Sequence, residues 1–338
     1  MNPKPSQNRG ATAEGTSRYA GRFAAFPDFF RQAQGLTVSS LGLGTYLGAP
    51  DEKTDRGYVE AAGAAFRSGI NFFDTAINYR HQRSERALGE ALNGIARDEF
   101  VICTKAGFLT PDAVPDFLAP SDVAGGMHSM APDFLADQID RSRTNLRVDT
   151  IDVFYLHNPE TQLGYVSRQE FDERLRAAFT RLEQLVSAGA IRCYGTATWD
   201  GYRKPSQLNL ATIAALARDI AGAGHHLRFV QLPFNLGMVE AYTGRPQSVL
   251  DIAAREGITV VASATLLQAR MLGHMPDAIA ELLPGLVTDA LRAIQFTRST
   301  PGISVALVGM SDAAHVRENM GVAAVAPATR EQYLRFFE

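Results

Sequence analysis

Eight short runs of apolar and β-branched residues recur along the chain, and each is followed by a stretch with helical spacing. The runs fall at residues 41–45, 70–74, 100–105, 151–157, 191–197, 227–232, 258–263 and 303–309. Apolar runs of this length, bounded by turn residues, read as buried strands. Between them, Tyr58, Val59, Ala62 and Phe66 recur at helical spacing up to Gly69. Leu88, Leu92 and Ile95 mark a second helix, Leu135, Ile139 and Leu146 a third, and Phe171, Leu175, Ala178, Leu182 and Leu185 a fourth, closed by Gly189. Further helices are expected over 208–220, from Pro246 to a stop at Gly257, over 278–296, and from a cap at Ser311 or Asp312 to Asn319. Strand–helix alternation implies a parallel sheet with right-handed crossovers. Eight such units favour a closed (β/α)8 TIM barrel in a single domain, α/β in class, over an open doubly wound sheet. The barrel is expected over residues 36–338, behind a mobile leader and entry segment at 1–35. Residues 1–13 show no apolar periodicity that docks them, so their removal is expected to change stability little.

Where a strand stops decides what it presents. The run at 70–74 ends in a carboxylate, Asp74, and five residues later the chain delivers a phenol, Tyr79. The next two runs end in Lys105 and His157. Active groups in α/β barrels sit at the carboxyl ends of the strands, and neighbouring strand ends lie roughly 5 Å apart. These four side chains therefore converge on one small volume. Singly, each has an ordinary reading: Asp74 as a turn cap, Lys105 reaching to water, His157 in a turn with Pro159, Tyr79 in packing. Four on successive units at one rim are hard to explain as turns.

The chemistry of the four is coherent. A phenol with a pKa of about 10 is a poor acid at neutral pH, and an adjacent ammonium lowers that value by roughly 1–3 units. Lys105 supplies the cation, Asp74 keeps it charged in an apolar rim, and His157 orients a carbonyl oxygen. Such a site protonates a developing alkoxide but holds no source of electrons, so a hydride donor is implied. A Schiff-base lyase with Lys105 as nucleophile is a competing reading, against which the neighbouring Asp74 argues.

The bulk properties remove other classes. A net charge of −3 provides no basic field for nucleic acid or an anionic membrane surface, and no apolar run approaches transmembrane length. The two cysteines, Cys103 and Cys193, lie inside apolar runs and read as buried free thiols of a reducing cytoplasm. Gly42-x-Gly44 lacks the third glycine of a dinucleotide fingerprint. Glu85 is expected in the first turn of its helix, where the dipole favours an acid. The Gly/Pro-rich segment from Gly107 to Met130 is long enough to be a binding loop or lid. It and the region near Phe234 are the expected substrate walls. Oligomeric state is not legible.

The segments 71–76 with Tyr79, 101–105 and 152–157 together resemble the aldo-keto reductase superfamily. Ser84-Glu85 with Leu88-Gly89 and Leu92 is similar to the helix after the family's tyrosine, and residues 315–319 to its adenosine-binding helix. The resemblance runs from about Leu36 to Asn319. It implies an NAD(P)(H)-dependent oxidoreductase that interconverts a carbonyl (aldehyde, ketone or sugar) and an alcohol. Tyr79 is then the general acid/base, with Asp74, Lys105 and His157. The cofactor is NADP(H) or NAD(H), the partner a small-molecule carbonyl or alcohol, and no metal is implied. For the cofactor, the resemblance implies Gly44, Thr45, Asp74, Thr198, Gln231, Ser263, Leu266, Ser311, His315, Glu318 and Asn319. Of these, Gln231 matches a carboxamide-binding position, Leu266 one near the pyrophosphate, and Glu318 and Asn319 adenine contacts. Three places depart from the family pattern: Ala197-Thr198 where many members have Ser-Asn, Ser263 where an aromatic stacks, and Gly309 with His315 in place of a basic pair. These departures leave NADP and NAD open. They also admit a low-turnover, cofactor-binding regulatory protein on the same barrel as an alternative.

Overall fold

The computed structural model describes residues 10–204, 206–273 and 275–338. Ahead of the barrel lie α1 (Ala13–Gly21) and the strands β1 (Phe30–Ala33) and β2 (Leu36–Ser39). The first half of the barrel is β3 (Leu41–Gly44), α2 (Glu52–Ser68), β4 (Phe72–Asp74), α3 (Arg83–Ala91), β5 (Val101–Ala106), β6 (Val123–Ala124), β7 (His128–Ser129), α4 (Pro132–Leu146), β8 (Ile151–His157) and α5 (Arg168–Ser187). The second half is β9 (Ile191–Ala197), α6 (Leu210–Ala221), β10 (Leu227–Pro233), α7 (Glu240–Thr243), α8 (Val249–Arg255), β11 (Thr259–Ser263), α9 (Asp277–Leu282), α10 (Asp289–Ser299), β12 (Ile303–Gly309), α11 (Ala313–Asn319) and α12 (Arg330–Leu334). The eight strands expected from the sequence close in chain order, β3-β4-β5-β8-β9-β10-β11-β12 and back to β3, with every pair parallel. This is the (β/α)8 barrel.

Local chemistry sets the element ends. Asp51 caps α2 by accepting the Thr54 N–H at 2.8 Å, and Gly69 stops the helix at φ 115°, a conformation that favours glycine. Along β8, Val153 and Tyr155 point into the barrel while Phe154 and Leu156 point out against the helices. The interior is filled by Phe72, Val101, Cys103, Val153, Tyr155, Cys193, Phe229, Val261, Val305 and Leu307. Cys103 and Cys193 are free and buried there.

Several expectations need correction. Residues 10–35 are docked, not mobile. β1 and β2 form an antiparallel hairpin whose Ala33, Leu36 and Val38 join the interior cluster and plug the amino end of the barrel. The Ala11 N–H donates to Asp152 Oδ1 at 2.7 Å, Arg192 donates to the Ala11 carbonyl at 2.8 Å, and the Thr12 side chain caps α1. Tyr19 is buried and donates to the carbonyls of Phe66 and Ile70. The buried face of α1 is Gly15, Thr16 and Tyr19, so no apolar stripe announced it. Residues 1–9 of the expected leader lie outside the described residues.

The helix expected over 278–296 is two, α9 and α10. Pro284 has no N–H to continue the first, and Gly285 follows at φ 84°. Pro246 does not open α8; Ser248 does, through a reciprocal capping box with Asp251. Glu85 does lie in the first turn of α3, as expected, and is fully buried there, accepting from Thr104 Oγ1 at 2.6 Å and Asn145 Nδ2 at 2.8 Å. Among the described residues, no helix is long and apolar enough to cross a membrane.

Candidate active site

β4 delivers Asp74 as its last residue, β5 delivers Lys105 one residue from its end, and β8 ends on His157. Asp74 pairs in register with Cys103, so Lys105 stands two residues farther along its strand and leans toward the end of β4. Its Nζ donates to Asp74 Oδ2 at 2.6 Å and to the Thr75 carbonyl at 2.7 Å, and lies 3.5 Å from the Tyr79 hydroxyl. Asp74 Oδ1 accepts from Gln231 Nε2 at 2.7 Å, so both carboxylate oxygens are satisfied. The Tyr79 ring meets Tyr46 edge-on at 5.0 Å and His157 at 5.7 Å. The four residues read from the sequence are thus brought together.

Burial works against the charge on Lys105, but Asp74 and the phenol outweigh it and raise its pKa above the ordinary lysine value. An ammonium held this way is a poor amine nucleophile, which disfavours Schiff-base chemistry. Burial raises the pKa of Asp74, while Lys105 and Gln231 pull it back. For Tyr79, burial is again the largest influence. The ammonium lowers the phenol's pKa as expected, yet the net shift is upward from 10. The expected depression is therefore corrected: in the protein alone, Lys105 moderates a raised pKa. Burial, Lys105 and His128 hold His157 well below the ordinary histidine value, so its ring is neutral.

The loop that carries Tyr79 is locally unusual. Arg80, His81 and Gln82 take left-handed conformations in succession, with φ of 52°, 56° and 65°. Such residues cost of order 1 kcal/mol each unless their surroundings hold them. Arg80 does the holding: Nε donates to the Ala49 carbonyl at 2.8 Å, Nη2 bonds Asp55 at 2.5 Å, and the guanidinium lies over the Tyr58 ring.

Around these groups opens a cleft of about 740 Å³ at the carboxyl ends of the strands. Asp74, Tyr79 and His157 line it, as do Gly44, Thr45, Thr198, Gln231, Ser263, Leu266, Ser311, His315, Glu318 and Asn319. Lys105 sits behind Asp74 and Tyr79, fully buried. The hydroxyls of Thr198 and Thr265, both on the cleft, are buried without a partner among the described residues. Gly44 and Gly309 pair across β3 and β12, so the cleft floor there is bare backbone, open to close approach by a ligand.

The sequence reading missed Asn78, Phe108, His128 and Trp199. Asn78 stands beside Tyr79 on the same loop, which was signal enough. His128 had none, since its partner is a main-chain carbonyl at residue 157. Of the segment after Lys105, Phe108 lines the cleft; it bridges to His128, and β6 pairs with β7. Phe234, by contrast, is fully buried and stacks on Phe296 away from the cleft lining.

The sequence profile of the Aldo/keto reductase family matches residues 40–275. The chain belongs to that family. A D-threo-aldose 1-dehydrogenase from a Pseudomonas species is 33% identical over 178 residues, 48% of this chain and 51% of that protein, so the match spans about half of either. A 6-dehydroglucose reductase from Novosphingobium aromaticivorans is 26% identical over 310 residues, 86% of this chain and 89% of that one. Among solved structures, the holo form of an aldo-keto reductase from Bacillus halodurans has a TM-score of 0.67 at 20% identity, covering 91% of this chain and 95% of that one. An aldo/keto reductase from Klebsiella pneumoniae, solved with NADP and acetate, has a TM-score of 0.66 at 20% identity over 92% and 94% of the two chains. At such identity the structural likeness speaks for the fold. Within this aldo/keto reductase fold, the three departures from the family pattern, at Ala197-Thr198, Ser263 and Gly309 with His315, all fall on the cleft wall.

Proposed function

We propose that the protein is an NAD(P)(H)-dependent oxidoreductase that interconverts a small carbonyl compound and its alcohol at this cleft. The family is NAD(P)(H)-linked, and the residues present fit a dinucleotide: bare backbone at Gly44 and Gly309, and unpartnered buried hydroxyls at Thr198 and Thr265. Gly44, Thr45, Thr198, Gln231, Ser263, Leu266, Ser311, His315, Glu318 and Asn319 would hold it. When bound, NADP(H) or NAD(H) supplies or removes the hydride.

The observation that carries the reading is the position of Lys105 Nζ, between Asp74 and the Tyr79 hydroxyl at the open end of the barrel. In reduction, Tyr79 gives its proton to the substrate oxygen as negative charge develops there. In oxidation, the phenolate takes the proton back. The Lys105 ammonium stabilises the phenolate left behind. Asp74 and the Thr75 carbonyl fix that ammonium in place, and Gln231 occupies the second oxygen of Asp74. Two buried, unpaired thiols fit a reducing compartment such as the cytoplasm.

The test is Tyr79→Phe assayed with NADPH and NADH against a panel of aldehydes, ketones and aldoses. Removing the proton donor is expected to lower kcat/KM by about 10²–10⁴-fold. Nucleotide-induced thermal stabilisation of the variant should match the wild type, because the phenol acts in the transition state and not on the resting cofactor. Near wild-type turnover by Tyr79→Phe would remove the assignment.

A further inference from the structure

The segment after β9 leaves the strand ladder and still carries part of the cleft wall. β9 ends at Ala197, whose carbonyl accepts from the Asn158 N–H at 2.6 Å, and the Thr198 N–H donates to the Gln231 carbonyl at 2.9 Å. The next three N–H groups, of Trp199, Asp200 and Gly201, turn toward a single point. One atom meets them all: Glu160 Oε1 accepts at 2.8, 3.1 and 3.1 Å. Successive main-chain N–H groups that converge in this way form a concavity for an acceptor oxygen. Here a side chain of the same molecule fills it. Glu160 reaches it from the turn Pro159–Gly164 behind β8 and is 7% exposed.

The proton transfer at Tyr79 makes no use of Glu160. Burial raises the pKa of its carboxyl group, and the three N–H donors oppose that rise. Its second oxygen, Oε2, is buried and bonded to no protein group among the described residues. The close approach needs a glycine at 201. A Cβ there would lie 2.7 Å from Leu208 Cδ1, 3.1 Å from Thr198 Cγ2 and 3.2 Å from Glu160 Cδ. Further anchors of the segment lie beyond it: the Tyr202 hydroxyl bonds Thr196 Oγ1 at 2.6 Å, and Arg203 donates to Glu240 at 2.7 Å.

What Glu160 holds faces the cleft. Thr198 and Trp199 both line it, and the Thr198 hydroxyl is buried without a partner among the described residues. A threonine hydroxyl sits directly on Cβ with a stiff χ1, so the backbone decides where it lies. Trp199 is 40% exposed, so packing covers only part of it. We infer that Glu160 is a positioning residue: its carboxyl group fixes the backbone from Thr198 to Gly201, and with it the cleft wall that Thr198 presents to the nucleotide. This rests on the proposed role of Thr198 in holding the nucleotide.

Trp199 is the only tryptophan of the chain, so its fluorescence reports on this segment without a label. Three variants separate position from stability. Glu160→Leu keeps bulk and removes the acceptor; Glu160→Gln keeps an acceptor oxygen; Gly201→Ala leaves Glu160 in place and crowds it. In Glu160→Leu, the acrylamide quenching constant of Trp199 in the free protein is expected to rise about twofold or more. The calorimetric dissociation constant of NADPH or NADH, whichever binds the wild type, is expected to rise about fivefold or more as the preformed wall is lost. Glu160→Gln is expected to stay within about twofold of wild type in both, while its buried amide N–H groups, placed where Oε2 has no partner, lower the melting temperature. Gly201→Ala is expected to move both quantities in the same direction as Glu160→Leu. A residue that serves stability alone would lower the melting temperature and leave quenching and affinity of the folded protein unchanged. That result in Glu160→Leu, or in Gly201→Ala where the leucine variant does not fold, overturns the inference. Raised quenching with unchanged nucleotide affinity also overturns it, because the wall then moves without consequence for the nucleotide. A wild type that binds neither nucleotide counts against the proposed function, while the quenching still decides whether Glu160 fixes the segment.

Discussion

At the scale of single residues, the site is a contest between burial and one ammonium. Burial raises the Tyr79 pKa and Lys105 lowers it, with burial the larger. The sign for a variant follows directly. Lys105→Met keeps the side-chain length and removes the lowering influence, so the phenol's pKa rises further. In the mechanism proposed above, alcohol oxidation needs the phenolate, so its rate in wild type is expected to climb with pH toward the phenol's pKa, and in Lys105→Met that limb is expected to move to higher pH. Reduction uses the protonated phenol and keeps its form at neutral pH, but loses stabilisation of the phenolate as the proton leaves. Each pKa unit corresponds to about 1.4 kcal/mol, so a shift of one to two units lowers reduction at pH 7 by about 10–100-fold. The check is the pH profile of alcohol oxidation in wild type and variant. Superimposable limbs and rates would make Lys105 a packing residue. Asp74, Tyr79, Lys105 and His157 were legible because each closes a strand or the loop behind one, where a polar side chain interrupts an apolar run. The direction of the Tyr79 shift was not legible, since it depends on how much protein covers the ring.

At the scale of elements, strands announced themselves and connections did not. All eight barrel strands are apolar on both faces, so their runs are continuous and bounded by turn residues. The division into α9 and α10 was hidden because both pieces keep helical spacing across Pro284. α1 and the β1–β2 hairpin were hidden because their buried residues are few: Gly15, Thr16 and Tyr19 in the helix, and Ala33, Leu36, Val38 and Ser39 in the hairpin. The left-handed turn at 80–82 was hidden most completely: Arg80, His81 and Gln82 are not glycines, and what keeps them there is the reach of Arg80 to Ala49 and Asp55. That turn makes its own prediction. His81 is exposed, so substitution there reads backbone conformation. His81→Gly is expected to stay within about 1 kcal/mol of wild type, because relief at positive φ offsets the greater freedom of glycine in the unfolded chain. His81→Val places a β-branched residue in the left-handed region and is expected to lose about 1–2 kcal/mol. Denaturant melts of the two variants decide it, and a valine variant as stable as the glycine one would rule the turn out.

At the scale of the whole molecule, the barrel separates what holds it closed from what it does. The cleft sits at the carboxyl ends of the strands. The plug formed by Ala11, Ala33, Leu36 and Val38 sits at the amino ends. Asp152 ties the plug in at one end of β8 and His157 faces the cleft at the other, roughly 16 Å apart at the usual rise per strand residue. Deleting residues 1–13 therefore tests the architecture. It removes the Ala11 N–H and leaves Asp152 Oδ1 buried without that donor, a loss of about 1–3 kcal/mol. It also removes the Thr12 cap of α1, worth about 1 kcal/mol. Arg192 loses the Ala11 carbonyl as well. The sum is about 2–4 kcal/mol, against the small change that the absence of apolar periodicity in this stretch led us to expect. Because the lost contacts lie at the far end of the strands, the folded fraction should bind NADPH and NADH with dissociation constants within about twofold of wild type. Chemical denaturation, with nucleotide titration under conditions where both proteins are folded, measures both quantities. Full stability after the deletion would mean that the segment does not hold the barrel's base. Loss of nucleotide binding in a folded, truncated protein would mean that the two ends of the barrel are coupled.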